Sequence, residues 1–301
     1  GAGQSELLME KISFFDQIAR NKRNSILLSI FVVALVAALV YTIAYLLLPG
    51  FAIFFLLLAA VIMVVHAYTS YNYGDKIVLK ATGAKPADPV EHVYLINTVE
   101  GLSIAAGIPP PKVYVVEDDE INAFACGKDP KHASIAVTTG ALKKLNRTEL
   151  EGVVGHEISH ITNYDIRFMT LVAVLVGLVA ILSYMLLRSF RVTRKEGGKA
   201  GLLILVGFLL AIFAPIVSRL VQAMISRRRE FSADAGSAQL TRYPEGLASA
   251  LEKIQKVNQG KMKVSESISH LFISDPNRSP LDELFATHPP LEKRVKILRA
   301  M

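Results

Sequence analysis

From Asn24 to Gly74 the chain carries no Asp, Glu, Lys or Arg. One membrane-spanning helix needs only ~20 apolar residues. The run is therefore too long for a single span and too apolar for the surface of a soluble domain. Pro49-Gly50 breaks it, and its halves read as a helical hairpin, roughly Ile26–Leu48 and Phe51–Tyr71, with a very tight turn. Arg20, Lys22 and Arg23 precede it, and Lys76 and Lys80 follow it. Basic residues at both ends place both ends on the cytoplasmic side. His66, in the second half, reads as an intramembrane functional group or as a neutral, hydrogen-bonded helix residue near the end of the span.

Composition agrees: 52% of the residues are hydrophobic and the mean hydropathy is +0.40. Lys and Arg number 33 against 26 acidic residues. That excess flanks apolar stretches as topology determinants do, and no aromatic–basic surface motif accompanies it, so no nucleic-acid partner is expected. The single cysteine, Cys126, rules out an intrachain disulfide and a Cys-built metal cage. It reads as a small buried residue or as a redox brake. Gly1-Ala2-Gly3 reads as a cloning remnant. Leu8, Ile12, Phe15 and Ala19 share one helical face, which suits a helix lying on the membrane or a cytosolic tail.

Phe168 to Leu187 and Ala200 to Ser218 are also free of charge and long enough to span. Arg188–Lys199 between them holds five basic residues and one Glu. A hairpin there puts a basic loop outside, against the positive-inside tendency. The organisation expected is a tail at 1–24, a membrane hairpin at 25–74, a soluble region at 75–165, a second hairpin at 166–225 and a second soluble region at 226–301.

Within the first soluble region, Pro89 to Ala106 reads as a helix, ended by Gly107 and Pro109-Pro110-Pro111. Lys112–Val116, Asn122–Ala125 and Ser134–Thr138 read as strands, the last two joined by a polar loop at Gly127–Lys131. Glu117–Glu120 reads as a solvated acidic turn; a calcium site lacks EF-hand spacing. Thr148 reads as the cap of the next helix, with Glu149 and Glu151 in its first turn. In the second soluble region Ser226–Gln239 and Pro244–Val257 read as helices, Gln259–Pro280 as a flexible excursion and Leu291–Arg299 as a basic helix.

The capped helix carries His156-Glu157-Ile158-Ser159-His160. Residues four apart share a helix face, so His156 and His160 can bind one metal ion. Glu157 sits beside them, placed to take a proton from a metal-bound water. Zinc on two His and a carboxylate, with its fourth position open, is a catalytic arrangement. For the third ligand Glu230 fits best, and Asp234, four residues on, can hold a ligating imidazole by its free nitrogen. On pattern alone a second reading stands, in which Glu230 is a surface residue paired at helical spacing with the preceding arginines.

Val154-Gly155-His156-Glu157-Ile158-Ser159-His160-Ile161-Thr162-Asn163-Tyr164-Asp165 closely resembles the HtpX-type membrane zinc proteases, relatives of the CAAX prenyl-protein proteases. Arg228-Arg229-Glu230-Phe231-Ser232-Ala233-Asp234 and Thr287-His288-Pro289-Pro290 match too, as do Asn122-Ala123-Phe124-Ala125 and Ala136-Val137-Thr138-Thr139-Gly140. The resemblance runs from about Ser25 to the C-terminus. Ala286 stands where Ser is common. The resemblance implies one Zn2+ on His156, His160 and Glu230, Glu157 as general base, and His288 near the reacting atoms. It also implies Asp234 and Asn163 as support for the ligands, and Asn122, Ala123, Phe124 and Ala125 as the edge strand that pairs with substrate. The fold implied is an α+β zincin-like (gluzincin) domain with about four transmembrane helices, mainly α-helical. The role implied is quality control of membrane proteins and unfolded polypeptides at a cell (inner) membrane, with the protease facing the cytoplasm. A CAAX-type protease and a catalytically silent scaffold are the alternatives. The first family has more spans, and a silent scaffold is expected to lose a ligand or the base. Oligomeric state is left open.

Overall fold

The computed structural model describes residues 49–174, 227–262, 264, 266–276 and 288–301, with scattered helical positions at 19, 22–24, 26, 27, 30, 31, 33, 34, 37, 38, 41, 45 and 177. The expected helix at 5–20, most of the first half of the hairpin and most of the two later apolar stretches, with their basic loop, lie outside these residues.

Helix α1 (Ala52–Ala81) follows a 3-10 turn at Pro49–Phe51. Among the described residues it alone is long and apolar enough to cross a membrane. It does not stop near Tyr71 as expected. Asp75, Lys76 and Lys80 are polar but tolerated in a helix, and the chain turns only at Gly83, whose φ of 68° is left-handed. One stripe of α1, including Met63, Ser70, Gly74 and Val78, is buried, while Ile53, Phe54, Leu57 and Val61 face outward. At Gly74 a Cβ would stand 2.8 Å from Thr170 Cγ2, so the bare backbone lets α1 lie against the helical residues 165–174. His66 Nε2 lies 3.3 Å from Ser70 Oγ, one turn on.

Four strands, β1 (Lys85–Pro86), β2 (Lys112–Val116), β3 (Ala123–Gly127) and β4 (Ala133–Thr138), form a sheet of order β1-β2-β4-β3. β2 and β4 pair in parallel; β1 and β3 are antiparallel to their neighbours. β3 is thus an outer strand, although all its residues are buried. The acidic turn before it is braced: Glu117 meets Lys85 at 2.8 Å, and the Glu120 carboxylate accepts the Gln259 and Lys261 N–H groups.

Six helices of the soluble part follow in the described residues: α2 (Val93–Ala106), α3 (Thr139–Lys144), α4 (Arg147–Thr162), α5 (Arg227–Thr241), α6 (Pro244–Val257) and α8 (Leu291–Arg299), with a single turn, α7 (Glu266–Ser269), before the last. The architecture is mixed α+β and mainly helical. α2 begins after Pro89, because Asp88 Oδ1 takes the Val90 and Glu91 N–H groups into a turn. α4 is capped by Asn146 rather than Thr148. Asn146 Oδ1 accepts the Glu149 N–H at 2.9 Å, and Glu149 Oε2 accepts the Asn146 N–H at 2.8 Å, a reciprocal box.

Every residue from Gly152 to Ile161 is buried, so α4 is a core helix rather than an amphipathic one. It lies between α5, α6 and the sheet. The close approach needs small residues: a Cβ at Gly152 would meet Leu247 N at 2.5 Å, and one at Gly236 would meet Ser159 Oγ at 2.3 Å. The described part of the stretch expected as a flexible excursion is largely packed. Ile268, His270, Leu271, Phe272 and Ile273 are buried; Phe272 pairs with Phe124 at the outer edge of β3, and His270 hydrogen-bonds Met169 O.

Candidate active site

α4 presents His156, Glu157 and His160, and α5 presents Glu230 and Asp234; all five are buried. His156 Nε2 and His160 Nε2 are 3.2 Å apart. Glu230 Oε2 lies 3.7 Å from the first and Glu230 Oε1 3.5 Å from the second. One donor atom from each residue falls within 4.8 Å of the others, a spacing that could hold a metal ion.

Each imidazole is fixed from behind. His156 Nδ1 lies 3.0 Å from Asp234 Oδ1, and His160 Nδ1 lies 3.0 Å from Asp165 Oδ2. With both Nδ1 atoms turned to carboxylates, both Nε2 atoms are left for the shared centre. Asp234 was legible in the sequence. Asp165 lies past the end of α4, outside its helical spacing; it returns to His160 because Tyr164, at a left-handed φ of 59°, reverses the chain there. Asn163 is the C-cap of α4, its N–H on Ser159 O. Thus the carboxylate of Asp165 holds the ring, and Asn163 ends the helix.

Burial and the neighbouring charges set the protonation of each donor. Burial pushes His156 down to about 4 against the pull of Asp234. Burial alone would also lower His160, but Asp165 and Glu230 outweigh it and hold it up to about 10. Burial opposes ionisation of Glu230, yet His288, His160 and Arg294 hold it well below the usual carboxylate range. A cation bound by these donors would compete with protonation of His160. Burial, with the Glu230 charge nearby, pushes Glu157 up to about 7. The Ala125 N–H lowers it slightly, but neither Glu157 oxygen makes a full hydrogen bond.

Two residues from the C-terminal part complete the cluster. His288 is buried, with Nδ1 3.1 Å from Glu230 Oε2. Arg294, on α8, is fully buried. It grips Asp234 through Nη2 at 2.6 Å and Nε at 2.9 Å, and Nη1 lies 3.4 Å from Glu230 Oε2. Spacing alone does not reveal it, because Arg294 is one cation among several on a basic helix.

Asn122, Ala123, Phe124 and Ala125 run past Glu157, all buried. Asn122 faces β4 with its backbone, since Thr138 N–H donates to Asn122 O. By alternation Ala123, Ala125 and Gly127 present their backbone groups outward. Cys126 is buried beside them, and burial pushes its thiol up, which makes it a poor nucleophile.

A family model described as peptidase family M48 matches residues 89–301. The chain belongs to peptidase family M48. It is accordingly a metalloprotease, and the match covers every residue of the cluster just described. This M48 chain is 45% identical over 296 residues to a protein named protease HtpX homolog from Dictyoglomus thermophilum, covering 97% of this chain and 96% of that one. It is 46% identical over 253 residues to a homolog of the same name from Thermoanaerobacter pseudethanolicus, covering 82% and 84%. Among solved structures, the crystal structure of S. mikatae Ste24p matches with a TM-score of 0.51 at 20% identity, over 93% of this chain and 67% of that one. That likeness supports the fold.

Proposed function

We propose that the chain is a membrane-anchored zinc endopeptidase of the gluzincin type, hydrolysing peptide bonds of misfolded or damaged membrane proteins and of unfolded polypeptides. The observation that carries the reading is the buried donor set of two imidazoles and one carboxylate, each ring fixed by a carboxylate behind it. Two His and one Glu are the donors zinc takes in catalytic sites. His156, His160 and Glu230 would hold it, and zinc there supplies an acidified water and a polarising charge for the scissile carbonyl.

The remaining chemistry falls to the chain's own side chains. Glu157, raised to about 7, accepts a proton from water near neutral pH and passes it to the leaving amine. Asp234 and Asp165 keep both rings aimed. His288 donates to the charge that develops on the carbonyl oxygen. A substrate in extended form pairs with the outward backbone groups of β3, which favours broad sequence tolerance. α1 with the apolar stretches at 26–48, 168–187 and 200–218 supplies four spans. The protease then faces the cytoplasm at the cell (inner) membrane, and the basic residues at both ends of the first hairpin support this orientation.

The test uses the detergent-purified chain and casein as an unfolded substrate. Zinc-dependent cleavage that a chelator abolishes and added zinc restores is expected, with Glu157→Gln keeping zinc but losing turnover. Full activity in Glu157→Gln would overturn the assignment of the base.

A further inference from the structure

The outer edge of β3, where a substrate strand is expected, is already occupied by the chain itself. Ile273 N–H donates to Ala123 O at 2.9 Å, and Phe124 and Phe272 form an antiparallel bridge. The Asn122 side chain closes on the next residue from both sides: Nδ2 donates to Ser274 O at 3.0 Å, and Oδ1 accepts the Ser274 N–H at 3.3 Å. The Phe124 and Phe272 rings meet edge to face, with centroids 4.9 Å apart. Further along, Gly127 N–H donates to Thr170 Oγ1. In this antiparallel register Leu271 lies across from Ala125, whose N–H also approaches the Glu157 carboxylate.

The segment has the form of a bound peptide. It runs antiparallel to β3, donates one N–H to the edge and offers its carbonyls to side chains of the site. Ile273 O accepts from Arg294 Nη1 at 3.1 Å, the same guanidinium that grips Asp234 and approaches Glu230. At its other end His270 Nε2 donates to Met169 O at 2.9 Å. Each of these partners is one an extended polypeptide can supply with its own backbone. Among the described residues, one backbone–backbone hydrogen bond joins the segment to β3; the other ties are through side chains.

We infer that residues 270–275 are an internal strand standing in for substrate, and that a polypeptide reaches Glu157 only by displacing it from Asn122 and Ala123. This rests on the peptidase reading above and on β3 as the substrate edge. Strand exchange conserves the hydrogen bonds: substrate N–H replaces Ile273 N–H on Ala123 O, and substrate carbonyls replace those of Ile273 and Ser274 on Arg294 and Asn122. A folded polypeptide, which cannot offer a free strand, cannot make the exchange. The device therefore restricts cleavage to extended or unfolded segments.

A covalent lock tests it. Phe124 and Phe272 are a non-hydrogen-bonded antiparallel pair, where Cα atoms lie about 4.5 Å apart, within the range a disulfide bridges. The zinc-loaded full chain carrying Phe124→Cys and Phe272→Cys in a Cys126→Ala parent is assayed on casein, oxidised and then reduced, with bond formation checked by mass spectrometry. Loss of turnover on oxidation and recovery on reduction is expected. Equal turnover in both forms overturns the inference. An inactive parent instead removes the peptidase reading. Where the double variant is inactive in both forms or fails to crosslink, hydrogen exchange of the Ile273 amide in Glu157→Gln decides. Casein binding should speed that exchange, and unchanged or slower exchange with casein bound overturns the inference.

Discussion

At the scale of single residues, the site depends on one guanidinium. Arg294 is buried among Asp234, Glu230 and the Ile273 carbonyl. Removing it leaves two buried carboxylates short of a partner, and breaking such a pair costs about 3–5 kcal/mol. Arg294→Met should lower the unfolding midpoint of the metal-free chain accordingly, and Arg294→Lys should recover only part, since an ammonium lacks the fork. His270 makes a second prediction. Burial pushes it down to about 4 from 6.5, its bond to the Met169 carbonyl resisting and the nearby charges of His288 and Arg229 adding to the drop. The unfolded chain then takes up the proton first. Stability is full above pH 6.5 and is lost as pH falls towards 4, by on the order of 3 kcal/mol at most. Thermal melts across that window should show the slope, and His270→Gln should flatten it. What could be read at this scale follows the same logic. His156, Glu157 and His160 are encoded by local helical spacing, and Glu230 with Asp234 by a second local pattern. Arg294 and Asp165 become part of the site only through tertiary placement, which spacing within one element does not reveal.

At the scale of elements, the sequence located β2, β4 and α6 closely, because alternation and Pro-initiated amphipathicity are local signals. α3 is too short to show a period. Asn146 and Thr148 each have a Glu three positions on, so the sequence offers two capping boxes for α4. The chain closes the one at Asn146 and Glu149, and the Thr148 hydroxyl donates to Asn146 Oδ1 from inside the first turn. The stretch from Gln259 to Pro280 carries turn residues that read as loop, whereas Leu271, Phe272 and Ile273 gain their burial from a strand far away in sequence. The packing of α4 is set by a glycine. At Gly152 the α6 backbone comes so close that a methyl group would overlap Leu247 N and Cα. Gly152→Ala should cost about 1–3 kcal/mol of stability, read as a lower denaturant midpoint with unchanged slope.

At the scale of the whole molecule, α1, the span proposed above, runs into the catalytic core without a break. Its far end packs on Thr170 through Gly74, and Thr170 in turn holds β3 at Gly127. A helix of 30 residues is about 45 Å long. The hydrocarbon takes up about 30 Å when the helix stands along the bilayer normal, leaving ~15 Å of rod on the protease side. The cleft is thereby carried at a set height, and α1 works as a gauge. Gly74, where α1 meets the core, stands about 5 Å above the hydrocarbon at ~1.5 Å per residue. A substrate anchored in the same bilayer therefore climbs roughly one or two extended residues at ~3.3 Å each to reach β3. Cleavage sites mapped by mass spectrometry in a single-span substrate should begin only beyond that gap, and lengthening α1 by two turns should move the first site outward by a matching number of residues.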